Sequence, residues 1–119
     1  MTTRTVNHQR SRADTVRRMK DLLGSLSGGQ IAEVLGISPR TLTRWKAGGH
    51  PANRRAAIAT EVTSILTHSW TEDGVYRWFH RPHPELSNAT PISLLNTGDP
   101  VHDERLLSAA LGGRDQRAT

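Results

Sequence analysis

The apolar positions of this chain recur three and four residues apart, and no stretch alternates convincingly as a strand, so the pattern predicts an all-α fold of about seven helices. Val16, Met19, Leu22 and Leu23 make one face of a first helix over residues 14–23, with Asp14 placed to cap it and Gly24 to end it. Ser27 is placed to cap a second helix that starts at residue 28 or 29 and runs to residue 35, and Ser38-Pro39 opens a third over residues 39–47. Gly48-Gly49-His50-Pro51 is a break, because two glycines followed by proline do not continue a helix cheaply. Ile58, Val62, Ile65 and Leu66 mark a longer helix over residues 52–70 that joins two halves. A short helix over residues 73–81 carries Val75, Trp78 and Phe79 and stops at Pro82-His83-Pro84, since the residue before a proline is biased out of the helical region. After a turn at residues 86–88, Thr90-Pro91 opens a helix to residue 95, and Gly98-Asp99-Pro100 punctuates the chain. Val101, Arg105, Leu106, Ala109 and Ala110 mark the last helix, over residues 101–111, and Gly112-Gly113 is expected to release a polar tail.

The second and third of these helices have the residue classes of a helix-turn-helix. Ala32 is small where two helices cross closely, and Gly36 accepts the positive φ of a tight turn between them. Ile31, Leu35 and Ile37 before the turn, and Leu42 and Trp45 beyond it, give both helices an inward face. Arg40, Thr41, Thr43, Arg44 and Lys46 are left pointing outward from a helix capped by Ser38, which equips it to meet phosphates and base edges in a major groove, with Arg54 and Arg55 adding phosphate contacts. The plain alternative is a short αα-hairpin whose Arg and Lys are its solvated face.

Charge favours the DNA reading. The net charge of +5 is unevenly spread: residues 1–55 carry eleven Lys or Arg against Asp14, Asp21 and Glu33, giving +8, and residues 56–119 carry five against eight acids, giving −3. A basic half joined to an acidic half reads as two surfaces with different partners. Fourteen of the sixteen basic residues are Arg, a preference that GC-rich coding also produces. At 119 residues the chain suits one domain, or two very small ones sharing a core, and is short for most enzymes with a deep cleft. It has no cysteine, which excludes disulfides and thiolate chemistry and is compatible with a reducing cytoplasm. No apolar run is long enough for a membrane span, and the start Thr2-Thr3-Arg4-Thr5 does not read as a signal peptide, so a cytoplasmic protein is expected.

Trp78-Phe79, then Pro82-His83-Pro84-Glu85-Leu86, then Thr90-Pro91-Ile92-Ser93-Leu94-Leu95-Asn96-Thr97-Gly98, resembles the toxin-binding domain of the Xre/MbcA/ParS antitoxins. The resemblance covers roughly residues 52–111, and the helix-turn-helix before it matches the two-part plan of that family. The chain departs from the pattern at Leu86-Ser87-Asn88-Ala89, where the family often has two glycines and a basic residue; Asn88 can supply the left-handed turn, but no role for that basic side chain is carried over. The resemblance implies an antitoxin paired with a RES-domain toxin, an enzyme that consumes NAD. The C-terminal half would cover the toxin's active-site cleft, and the N-terminal half would repress the shared operon as a dimer. Trp78, Pro91, Leu94 and Leu95 are mostly expected to build the core of the small domain. Contacts to the toxin are expected from Arg81 and His83 at the Pro82 corner, Asn96 and Thr97 at the Gly98 turn, and Arg114 and Arg117 in the tail, which could enter a polar nucleotide cleft.

The remaining chemistry is sparse. His80 and His83 stand three apart, but Pro82 breaks the helix between them and no Cys or acidic cluster completes a metal site. No glycine-rich phosphate loop or nucleophile elbow is present, so neither enzymatic activity nor a cofactor is expected. The organisation read from the sequence is a flexible basic arm at residues 1–13, a helix-turn-helix DNA-binding region at 14–50, a helical toxin-binding and dimerisation region at 51–111 and a flexible tail at 112–119. A fragment starting near residue 52 is expected to keep toxin binding without DNA binding. One such module is small for tight operator binding, which predicts a homodimer on two half-sites. The alternative function is a free-standing dimeric helix-turn-helix regulator.

Overall fold

The computed structural model describes residues 10–114, and among these it contains seven α-helices, two short 3-10 turns and no strand. The first helix, α1 (Arg12–Leu22), begins two residues earlier than the apolar pattern predicts. The cap is Ser11, whose hydroxyl accepts the Asp14 N–H at 3.0 Å; Asp14 instead lies in the first turn, where its charge complements the helix dipole. α2 (Gly28–Leu35) starts as predicted, with a capping box in which Ser27 and Gln30 satisfy each other's backbone N–H. It ends at Gly36, where φ is +81°, and the Ile37 N–H bonds back to Ala32 O at 3.0 Å, the six-to-one bond of a glycine-terminated helix. α3 (Pro39–Trp45) follows directly, capped by Ser38 with proline in its first turn.

α4 (Arg54–Leu66) is shorter than predicted at both ends: Asn53 caps it, accepting from Ala56 N at 2.8 Å, and residues 67–69 turn away. Its fully buried positions are Ala56, Ala59, Val62, Thr63 and Leu66, while Ile58 and Ile65 are only partly covered. Small residues line the contact because α4 packs against α1 and α2 as well as against the last helix, and short side chains let those backbones approach. Thr60 and Thr63 are buried without penalty, as each hydroxyl donates to the carbonyl four residues earlier at 2.8 Å.

α5 (Glu72–His80) starts at the Thr71 cap and buries Val75, Trp78 and Phe79. The chain then turns through a 3-10 segment, Pro84–Leu86, into Ser87 and Asn88 with φ of 57° and 66°, so the left-handed turn predicted at Asn88 is present and extends over two residues. α6 (Pro91–Asn96) has the predicted Thr90 cap and proline start, and a second 3-10 turn, Pro100–His102, precedes α7 (Asp103–Arg114).

α7 corrects the expectation of a release at Gly112-Gly113, because the helix continues through both glycines. Gly113 is buried: a Cβ there would stand 3.5 Å from Trp78 Nε1 and 3.6 Å from Leu66 Cδ2, and its carbonyl accepts the Trp70 indole N–H at 2.9 Å. A Cβ there would make only ordinary contacts, so what carries the helix through both glycines is the packing of its end and the Trp70 bond, which outweigh their weak helix propensity.

A single buried cluster runs from Val16 and Met19 through Ile31, Leu35 and Trp45 to Leu66, Trp78, Phe79, Leu95 and Leu106. The two regions divided in the sequence at residues 50 and 51 therefore share one core, with α4 common to both. This removes the basis for a self-sufficient fragment starting near residue 52, which would bare the side of α4 that packs on α1 and α2.

Candidate functional faces

The α2–turn–α3 unit places its polar residues in two tiers. Ser38 and Thr41 are tied together: the Ser38 hydroxyl accepts Thr41 N–H and donates to Thr41 Oγ1, each at 3.0 Å. Arg44 Nη2 donates to the same Thr41 oxygen at 3.2 Å, and Thr43 Oγ1 donates to Pro39 O at 3.2 Å. Arg40, Thr43, Arg44 and Lys46 are exposed, and among the described residues none of the three cations has a carboxylate partner. Leu42 and Trp45 are buried on the opposite side, so the outward and inward faces of α3 fall where the spacing put them.

Arg54 and Arg55 do not join this group. Arg54 Nε pairs with Asp103 of α7 at 3.1 Å, beside a groove of about 650 Å³ formed by α1, α4 and α7. Arg55 lies half-buried behind the Gly36 turn, donating to Val34 O at 2.7 Å and to Asn96 Oδ1 at 2.8 and 3.2 Å. Burial lowers the pKa of its guanidinium, while the hydrogen bonds supply acceptors for the charge. A Cβ on Gly36 would collide with this guanidinium, so glycine is required there for its φ and for the close approach of Arg55. The expectation of an open phosphate contact is corrected for Arg55, which joins α2 to the C-terminal half; Arg54 is exposed and ties α4 to α7.

The residues expected to meet a toxin divide. Arg81 is exposed, with its guanidinium carbon 5.5 Å from the centre of the Trp70 ring, whose N–H holds the end of α7. Asn96 and Thr97 lie on a separate patch at the end of α6, with Asn96 bound to Arg55 and Thr97 Oγ1 donating to Leu94 O at 2.7 Å. His83 requires correction: it is 6% exposed, its Nε2 donates to Trp78 O at 2.9 Å, and its ring packs 4.7 Å from that of Trp78. The side chain thus builds the proline corner from inside instead of offering a contact. Arg114 closes α7, but its side chain and the whole of Arg117 lie outside the described residues.

A polar cluster between α2 and α5 has no counterpart among the motifs read from the sequence. Glu33 Oε1 accepts the Tyr76 hydroxyl at 2.6 Å, and its Oε2 stands 3.0 Å from His80 Nε2. These bonds hold the Glu33 carboxyl below its ordinary pKa and push the Tyr76 hydroxyl up. Close by in sequence, Glu72 accepts from both the backbone and the hydroxyl of Ser25, at 2.7 and 2.6 Å, which lowers its pKa in the same way. The one available signal was the i, i+4 spacing of Tyr76 and His80 on an amphipathic helix; their partner on α2 becomes apparent only in three dimensions.

These features define an all-helical protein in which a basic pair of short helices and a C-terminal helical half share one core. The fold is similar to that of a chain in the crystal structure of the M. tuberculosis MbcT-MbcA toxin-antitoxin complex, with a TM-score of 0.61 and 25% identity over 85% of this chain and 94% of that one. This likeness agrees with the sequence resemblance to the Xre/MbcA/ParS antitoxins and extends across both halves. No protein-family model matches the chain, and no curated protein matches it in sequence. Among the described residues no helix is long and apolar enough to cross a membrane.

Proposed function

We propose that the protein is the antitoxin of a toxin–antitoxin pair, that its partner is a RES-domain toxin that consumes NAD, and that it represses its own operon by binding operator DNA as a homodimer. The observation that carries the antitoxin reading is the likeness, over 85% of the chain, to a component of a toxin–antitoxin complex. The protein acts by binding and has no catalysis of its own. On this reading α2 and α3 form a helix-turn-helix, Arg40 and Arg44 read the major groove from the exposed side of α3, and Ser38, Thr41, Thr43 and Lys46 support them. Arg81 and the end of α7 make one part of the toxin-facing surface, with Asn96 and Thr97 another. Arg117 belongs to the same proposal from the sequence of the tail alone.

The test pairs two assays. An equimolar amount of the protein should stop NAD consumption by the RES-domain toxin encoded beside it, and the same preparation should bind the DNA upstream of its gene. Arg44→Ala should weaken operator binding by roughly 1–3 kcal/mol and leave inhibition intact. DNA binding without inhibition would favour a free-standing regulator; inhibition without DNA binding would remove the repressor half of the proposal.

A further inference from the structure

A second cationic feature borders the C-terminal end of α3, and most of it comes from α1. The start of α1 is laid across the loop that leaves α3: Arg12 N–H donates to His50 O at 2.8 Å and Ala13 N–H to Gly48 O at 3.0 Å. Gly48 has no side chain where one would meet Arg12 Cβ at 3.3 Å, so the two segments can lie this close. Arg12 then places its guanidinium carbon 5.2 Å from the centre of the Trp45 ring. The buried Nε of Arg12 has no hydrogen-bond partner, and among the described residues no carboxylate pairs with the group. Stacking on an aromatic face fixes a guanidinium while leaving the donors at its outer edge available to an anion.

Lys20, in the last turn of α1, and Lys46, the residue that caps the end of α3, are both exposed on these packed helices. α1 and α3 pack against each other, and the Lys46 ammonium lowers the pKa of Lys20. Of the carboxylates on α1, Asp14 is engaged by Arg17 at 2.6 Å and Asp21 is exposed. Two neighbouring ammonium groups beside a recognition helix repel each other until an anion lies between them, and a phosphodiester supplies that anion.

We propose that Arg12, Lys20 and Lys46 form a phosphate-binding rim that grips the DNA backbone flanking the bases read by α3. This inference rests on the DNA-binding reading of α3 and adds two residues, Arg12 and Lys20, that the recognition-helix pattern does not contain. The rim contributes affinity without sequence preference, as contacts to phosphates do.

The test is a fluorescence-anisotropy titration of the full chain on its upstream DNA and on a random 20-bp duplex, from about 50 to 200 mM salt. Lys20→Gln and Lys46→Gln should each weaken both duplexes by roughly three- to tenfold at the low-salt end and reduce the slope of log K against log salt by about 0.9. Arg12→Lys should keep the slope and lose affinity, because it retains the charge but not the stacked planar fork. Lys20→Gln should unfold at an unchanged or higher temperature, since it removes a repulsion, and this separates a binding defect from a folding defect. If the wild-type protein binds neither duplex, the DNA reading fails. If it binds both with a steep salt dependence and Lys20→Gln and Arg12→Lys match it within twofold, the rim is wrong and the reading of α3 survives.

Discussion

The two halves of the chain treat their charges differently. On α3, Arg40, Arg44 and Lys46 are exposed without carboxylates, although the fold holds acids elsewhere. In the C-terminal half several acids are engaged, with Asp73 paired to Arg77 at 3.0 Å, Asp103 to Arg54 at 3.1 Å and Glu72 accepting two hydrogen bonds from Ser25, while Glu61, Glu85 and Glu104 are exposed. Cations left unpaired on one face retain their long-range attraction for a polyanion, whereas Glu72 ties α5 to the segment after α1, Asp103 ties α7 to α4 and Asp73 pairs within α5. The contrast between +8 and −3 in the sequence thus separates a face of unpaired cations from a half in which some of the acids are bound internally.

The comparison breaks most severely if the halves are separable. Leu66 is fully buried in the common core, close to Gly113 of α7, and Leu66→Ala should cost about 2–5 kcal/mol. Thermal unfolding followed by tryptophan fluorescence and by far-UV circular dichroism should shift as one transition. Two transitions, with only the later one moving, would show independent domains.

A smaller effect is expected where the halves are joined by hydrogen bonds. Arg55→Leu removes the bonds to Val34 O and Asn96 Oδ1 and should destabilise the protein by about 1.5–3 kcal/mol. Asn96→Ala in the Arg55→Leu background should add less than it costs alone, as a double-mutant cycle in chemical denaturation would register. Full additivity would mean that the two side chains do not act as a unit.

The smallest expected effect is the pH dependence arising from Glu33. Its carboxyl is held below the ordinary value by Tyr76 and His80, so its contribution to stability is complete above the unfolded-state pKa and is lost as pH falls through the folded-state pKa. The difference in melting temperature between wild type and Glu33→Gln should accordingly be largest near neutrality and shrink in that acidic window. A difference independent of pH would show that the carboxylate charge contributes nothing to the link between α2 and α5.

What was legible in the sequence follows from the range of each interaction. Caps and helix starts at Ser27, Ser38 and Thr90 depend on neighbours within three residues, and the apolar face of α3 depends on its own period, so both could be read directly. Arg55 could not, because counting it as a surface cation ignores Val34 and Asn96, which only the fold brings to it. His83 was misplaced for the same reason: histidine beside two prolines reads as an exposed corner until the Trp78 carbonyl closes over its ring nitrogen. Gly112-Gly113 reads as a helix end by propensity, and the Trp70 and Trp78 indoles against which the end of α7 packs are more than thirty residues away in sequence.

The central claim is that the exposed cations of α3 and the C-terminal half serve different partners on one shared core. Growth of cells expressing the RES-domain toxin, with or without the Arg40→Ala and Arg44→Ala double variant, tests it most directly. The account predicts that this variant, although unable to bind operator DNA, restores growth as fully as the wild-type protein; loss of rescue with unchanged thermal unfolding would contradict it.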